Sequence, residues 1–85
     1  MNPTFILTAH ASIAMAERAI ALAWISRTLA APLFTEPDRD DPDLTHALLP
    51  IAEFGGRMLR VVYNGRTEPW RVVTVYFDRA AGRRL

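Results

Sequence analysis

Two runs in the second half of the chain, RMLRVVY at residues 57–63 and WRVVTVYF at residues 70–77, are dense in valine, tyrosine and phenylalanine. Branched and aromatic residues suit a pleated, half-buried surface. The six residues between them open on Asn64-Gly65, a pair that tolerates the positive φ of a tight reversal. The pattern predicts an antiparallel hairpin, and a hairpin this short needs further strands and a covering layer to be stable. Side chains alternate across a strand, so parity separates two faces. Leu59, Val61 and Tyr63 fall with Val73, Val75 and Phe77 as the expected buried face. Met58, Arg60 and Val62 fall with Trp70, Val72, Thr74 and Tyr76 on the other. That second face mixes arginine, hydroxyls and aromatics, the character of a binding surface.

The remaining segments supply the cover. Residues 4–7 read as a short first strand, and Thr8 as the N-cap of a helix over residues 9–18. In that helix Ala9, Ile13 and Ala16 form a narrow apolar stripe, while His10, Ala14 and Arg18 share another face. A second helix over residues 21–30 offers Leu22, Trp24, Ile25, Thr28 and Leu29, and Ala31-Pro32 ends it. Residues 33–35 make a brief strand. EPDRDDPD at residues 36–43 carries two prolines and four aspartates and reads as a solvated acidic loop. It lacks the glycine and terminal glutamate of a calcium loop, so it does not read as a metal site. Residues 44–54 form a strand that Pro50 confines to an edge or a bulge, and Gly55-Gly56 is a turn. The expected order is β-α-α-β-β-β-β: one α+β domain over residues 1–85, with two N-terminal helices packed on a four- to five-stranded antiparallel sheet and a basic tail over residues 78–85.

Composition narrows the function classes. The chain has 85 residues and no cysteine, which removes disulfides, a thiolate nucleophile and a thiolate metal centre. Its two histidines, His10 and His46, have no partners at ligand spacing, so neither a metal nor another cofactor is expected. No positive residue precedes the first apolar stretch, which does not read as a signal peptide. The longest apolar run, residues 19–25 between Arg18 and Arg27, is far short of the ~20 residues that span a bilayer. A soluble, cytoplasmic protein is expected. The net charge is +1, but residues 1–56 hold three arginines against seven acids, and residues 57–85 seven arginines against two. Every basic residue other than histidine is arginine, whose planar fork grips phosphate oxygens in pairs.

The motif HA-x3-M-x-ER-x-I, built by His10, Ala11, Met15, Glu17, Arg18 and Ile20, resembles the opening of a family of small bacterial domains of unknown function. The middle segment DPDLTHALLPIAEFGGR and the closing RVVYN, WRVVTVYFDR and AAGRR are similar to the same family, so the resemblance runs from about Ile6 to Arg84. Its relatives are the RelE-like and BrnT-like toxins of type II toxin–antitoxin pairs. The resemblance implies a RelE-like toxin fold with an open working face, ribonuclease activity in the relatives, and a small antitoxin partner encoded alongside. The chain departs from the pattern at Ala14, where a longer and often basic side chain is usual, and at Ala19, where glycine usually closes the first helix.

Metal-independent RNA cleavage needs a proton carrier and cations around the phosphate. His10, Arg60 and Arg79 are the candidate catalytic residues, with the arginines on the phosphate and His10 as proton carrier. Arg18, His46, Thr74, Tyr76, Asp78 and Arg83 are the candidate substrate contacts. Tyr76 is placed to stack a base, and Asp78 to orient Arg79 or a histidine. Three functions fit this sequence: a toxin-type endoribonuclease acting on mRNA, with or without the ribosome; a non-catalytic RNA-binding module; or an interaction domain for an acidic protein. The oligomeric state is left open, a homo-oligomer included.

Overall fold

The computed structural model describes residues 3–83, with side chains through residue 81. In chain order the elements are β1 (Phe5–Leu7), α1 (Ala9–Glu17), α2 (Leu22–Ala30), β2 (Phe34–Pro37), β3 (Leu44–Ile51), a 3-10 turn (Ala52–Phe54), β4 (Arg57–Asn64), β5 (Trp70–Phe77) and α3 (Arg79–Arg83). The strands form one five-stranded sheet in the order β1-β5-β4-β3-β2. From β2 to β5 it is an antiparallel meander.

The expectation of a wholly antiparallel sheet is corrected at β1, which runs parallel to β5 with Phe5 opposite Trp70 and Leu7 opposite Val72. Parallel neighbours need a long crossover, and here everything from α1 to β4 serves as one. The pairing is pinned at both ends by backbone bonds, Trp70 N–H to Thr4 C=O at 2.9 Å and Thr8 N–H to Val72 C=O at 3.0 Å.

Thr8 caps α1 as expected, its Oγ1 accepting from the Ala11 N–H at 3.1 Å. The buried stripe of α1 is Ala11 and Ala14, whereas Ile13 is exposed. Small residues let α1 lie close on β5, which a helix seated on Ile13 would not. The end of α1 meets the cap that glycine normally makes. Ala19 stands at φ 53, the Ala19 N–H bonds the Ala16 carbonyl at 3.3 Å, and the Ile20 N–H bonds the Met15 carbonyl at 3.0 Å. These are the two bonds of a Schellman ending, with Ile20 buried where it packs back. Helix α2 buries Ile25, Thr28 and Leu29 as expected, and leaves Leu22 exposed.

Helices α1 and α2 cover one face of the sheet, where Ile25 and Leu29 pack on Ala47, Ile51, Leu59, Val61, Val72 and Val75. The hairpin parity holds at Leu59, Val61, Val75 and Phe77 and fails at Val73. A bulge shifts the register, so that Val62 faces Thr74 but Tyr63 faces Val72. The extra residue turns Val72 and Trp70 to the helix side, where Trp70 stacks on Tyr63 with ring centroids 4.7 Å apart.

Two other boundaries differ from the sequence reading. Glu36 and Pro37 pair with His46 and Thr45, so β2 extends into the acidic segment. An edge strand accepts a proline whose missing N–H faces outward. Pro50 lies in β3 beyond the stretch that β2 pairs, a local edge of the kind its ring requires. Residues 79–83 form α3 rather than a plain tail, and residues 84–85 lie outside the described residues. Ala81 packs with Leu48, Met58 and Phe34, so α3 covers part of the sheet face opposite α1 and α2.

Candidate functional site

The uncovered part of that face is built by alternation. Glu36 of β2, His46 of β3, Arg60 of β4 and Tyr76 of β5 stand at paired register positions across four adjacent strands. Leu48 lies opposite Arg60 and one alternation from His46, which puts both neighbours on the same side. Asp78 follows β5 immediately, its N–H bonded to the Met58 carbonyl at 2.8 Å. Its Oδ1 accepts from the Ala81 N–H at 3.0 Å and so caps α3.

Arg60 is the centre of this row and is only 6% exposed. Its Nε and one terminal nitrogen reach Asp78 Oδ2, each at 2.8 Å. The other terminal nitrogen donates to Glu36 Oε1 at 2.7 Å and meets His46 Nδ1 at 2.8 Å. A guanidinium has donors only, so His46 Nδ1 is the acceptor in that contact. Nε2 then carries the ring proton and donates it to Asp38 Oδ1 at 2.7 Å. A chain of contacts therefore runs from Asp38 through His46 to Arg60, and on to Glu36 and Asp78.

The charges hold one another in place. Burial works against the Arg60 charge, but bonds from Glu36 and Asp78 outweigh it and raise its pKa. Burial likewise opposes ionisation of Asp78, and the Ala81 N–H and Arg60 overcome it, so its pKa is lowered. The pKa of Asp38 is lowered by the His46 bond first, then by the N–H groups of Asp41 and Asp40. No buried polar side-chain atom among the described residues is left without a partner.

Two hollows flank Tyr76 and Asp78, which border both. A cleft of about 580 Å³ wraps the end of the sheet, lined by Arg18 from the end of α1, Arg57 beside the Gly55-Gly56 turn, and Arg79 from the start of α3. All three arginines are exposed. The guanidinium of Arg57 lies over the Phe54 ring, 4.9 Å from its centroid. Gly55 and Gly56 have φ of 67° and 74°, which suits glycine at both positions and brings β4 back under the 3-10 turn. The second hollow, about 450 Å³, is lined by Glu36, Asp38, Asp40, His46 and Arg60.

The structure thus gathers Arg18, Tyr76, Asp78 and Arg79 at one cleft, and His46, Arg60, Tyr76 and Asp78 at the next. Thr74 lies opposite Val62 on the same sheet face. His10 is not among them. It is exposed on α1, in the helix layer, while Arg60 projects from the other side of the sheet. The side chain of Arg83 lies outside the described residues. Sequence reading passed over Arg57, Glu36 and Asp38 as site members. Arg57 adjoins a double glycine, a signal open to inspection, but Glu36 and Asp38 depend on the β2–β3 register, which no local pattern discloses. No group of three or more His, Asp or Glu among the described residues is arranged to hold a metal ion. No helix among them is long and apolar enough to cross a membrane.

A family model described as Domain of unknown function (DUF4258) matches residues 7–77. No curated protein and no solved structure matches the chain significantly.

Proposed function

The chain belongs to the DUF4258 family of domains of unknown function, and from its geometry we propose that it acts on RNA as the toxin-type, metal-independent endoribonuclease of a toxin–antitoxin pair. The observation that carries this reading is the cleft in which Arg18, Arg57 and Arg79, from three separate parts of the chain, converge beside Tyr76. Exposed arginines, none of which forms an ion pair among the described residues, attract a polyanion, and an adjacent phenol ring offers a face for a base. The adjoining hollow, which shares Tyr76 and Asp78 with the cleft, holds the one histidine on this side of the sheet, His46, whose Nε2–H is held by Asp38. His46 therefore takes the proton-transfer role that the sequence suggested for His10, and Arg79 keeps its phosphate role.

In this reaction the 2′-hydroxyl gives its proton to His46 Nδ1 as O2′ bonds to phosphorus. The P–O5′ bond breaks, the leaving oxygen takes a proton from water, and the hydroxide left behind recovers the proton held on His46. The products are a 2′,3′-cyclic phosphate and a 5′-hydroxyl. The setting is the cytoplasm, and the partner is a small antitoxin encoded next to this chain, with an acidic segment that covers the arginine cleft.

The test has two arms. RNA affinity measured against salt should fall with a log–log slope of about −2, three phosphates at ~0.7 each for a single strand. The triple variant Arg18→Ala, Arg57→Ala, Arg79→Ala should lose both slope and affinity. Single-turnover cleavage, with ribosomes added where free RNA is inert, should be abolished in His46→Ala and retained in His10→Ala. Binding without cleavage would leave an RNA-binding module. Growth unaffected by induction of the chain, together with flat salt dependence, would remove RNA from the account.

A further inference from the structure

Arg60 is the most central cation of the open face, yet it meets solvent hardly at all, and the reason lies in what occupies its two edges. The edge made by Nε and one terminal nitrogen is spent on Asp78. Asp78 is fixed in turn by its own N–H bond to Met58 and by capping α3. The other edge is held differently. It bears on Glu36 Oε1 and His46 Nδ1, and Glu36 sits on the edge strand with a third of its side chain exposed. The 450 Å³ hollow opens onto this second edge.

We infer that the Glu36-facing edge of Arg60 is a phosphate subsite closed in the free protein by the protein's own carboxylate, and that a phosphodiester opens it by taking the place of Glu36. The inference rests on the RNA reading above and names how that site is regulated. A carboxylate presents two oxygens to a guanidinium edge much as a phosphodiester does, so the exchange keeps the arginine paired throughout. It also has a second effect. The same terminal nitrogen carries two N–H groups, one on Glu36 and one on His46 Nδ1, and the anionic phosphate draws both, because a charged acceptor outcompetes a neutral ring nitrogen. Loss of the second bond frees the Nδ1 lone pair next to the bound phosphate, while Asp38 continues to hold Nε2–H and the ring orientation. The proton acceptor is therefore exposed only when substrate is present. Asp78 does not exchange, because it anchors both a strand end and a helix start.

The experiment uses the full chain and a short 2′-O-methyl oligoribonucleotide, which binds and cannot be cleaved. Glu36→Gln keeps shape and hydrogen-bonding capacity and removes the competing charge. It should bind about tenfold more tightly at low salt, since an unscreened like charge beside the phosphate is gone. Its salt slope should steepen by about 0.7, one further phosphate engaged. In the wild type, titration with the oligonucleotide should move the His46 Nδ1 nitrogen resonance toward that of an unbonded imidazole nitrogen, with His10→Gln used to assign the signal. This second measurement needs no substitution at Glu36 and stands if that variant folds poorly. Equal or weaker binding by a folded Glu36→Gln with unchanged slope, or a His46 resonance indifferent to RNA, overturns the gating and leaves the arginine cleft intact. Absence of binding in wild type and Glu36→Gln alike overturns the RNA reading and the gating with it.

Discussion

Replacing Ala19 with glycine should stabilise the protein. Ala19 stands at φ 53 and closes α1 through the paired bonds of Ala19 and Ile20 to Ala16 and Met15. A side chain with a Cβ in the left-handed region costs roughly 1–2 kcal/mol, because Cβ crowds the following carbonyl oxygen. Glycine removes that cost but returns about 0.4–1 kcal/mol through the greater freedom of the unfolded chain. The net gain is about 0.5–1 kcal/mol. For a domain of this length, 1 kcal/mol moves the thermal midpoint by about 4–8 °C, so Ala19→Gly should raise Tm by several degrees. Urea denaturation should show a higher midpoint at unchanged slope. Ala16→Gly is the control: Ala16 is an exposed residue inside the same helix, where glycine should destabilise by about 1 kcal/mol. A midpoint for Ala19→Gly equal to or below that of the wild type would refute the conformational argument, since nothing else at this exposed position opposes the change.

Val75, fully buried, should lose on the order of 2 kcal/mol as Val75→Ala, while Val73→Ala, at the bulge, should lose well under half of that by the same denaturation assay. Arg27 and Glu53 form a two-bond ion pair, 2.9 and 2.7 Å, between α2 and the 3-10 turn. The Arg27 hydrogen bond, followed by a backbone bond, pushes the pKa of Glu53 down to about 2 from its ordinary value of 4.5. A carboxylate lowered in the folded state stabilises above its unfolded pKa and loses that contribution as pH falls through the folded one. Denaturation midpoints of wild type and Arg27→Met should therefore differ at about pH 6 and converge toward about pH 2; a constant gap would show that the pair contributes through packing alone.

Much of the architecture could be read from residues alone because it rests on local chemistry. Thr8 caps, Pro32 stops α2, and the two valine-rich runs pair as a hairpin whose Leu59, Val61 and Val75 face the helices. What escaped reading was set by distant partners. The bulge that trades Val73 for Val72 leaves no mark in a run as uniform as WRVVTVYF. The burial of Ala11 and Ala14 in place of Ile13 follows from how closely α1 approaches β5, a tertiary fact. The same holds for the site. Arg60, Tyr76, Asp78 and Arg79 were legible as charged and aromatic residues on or beside one strand face, whereas His10 looked equivalent to His46 until the sheet separated them. Glu36 looked like part of a solvated acidic run because its partner His46 is found only through strand register.

The parallel seam between β1 and β5 also bears on how the chain reaches its fold. Thr8 Oγ1 bonds the Val73 carbonyl, 65 positions away along the sequence. The meander from β2 to β5 is assembled from neighbours and can form stepwise, but β1 has no strand to lie against until β5 is in place. Closing so long a loop is an entropic toll levied before any of its contacts form. Of the five strands in this sheet, the first to be synthesised is thus the last to be matched. Until then the Ile25, Val72 and Val75 layer lacks its lid along that border, a window in which a nascent chain is open to association with others of its kind.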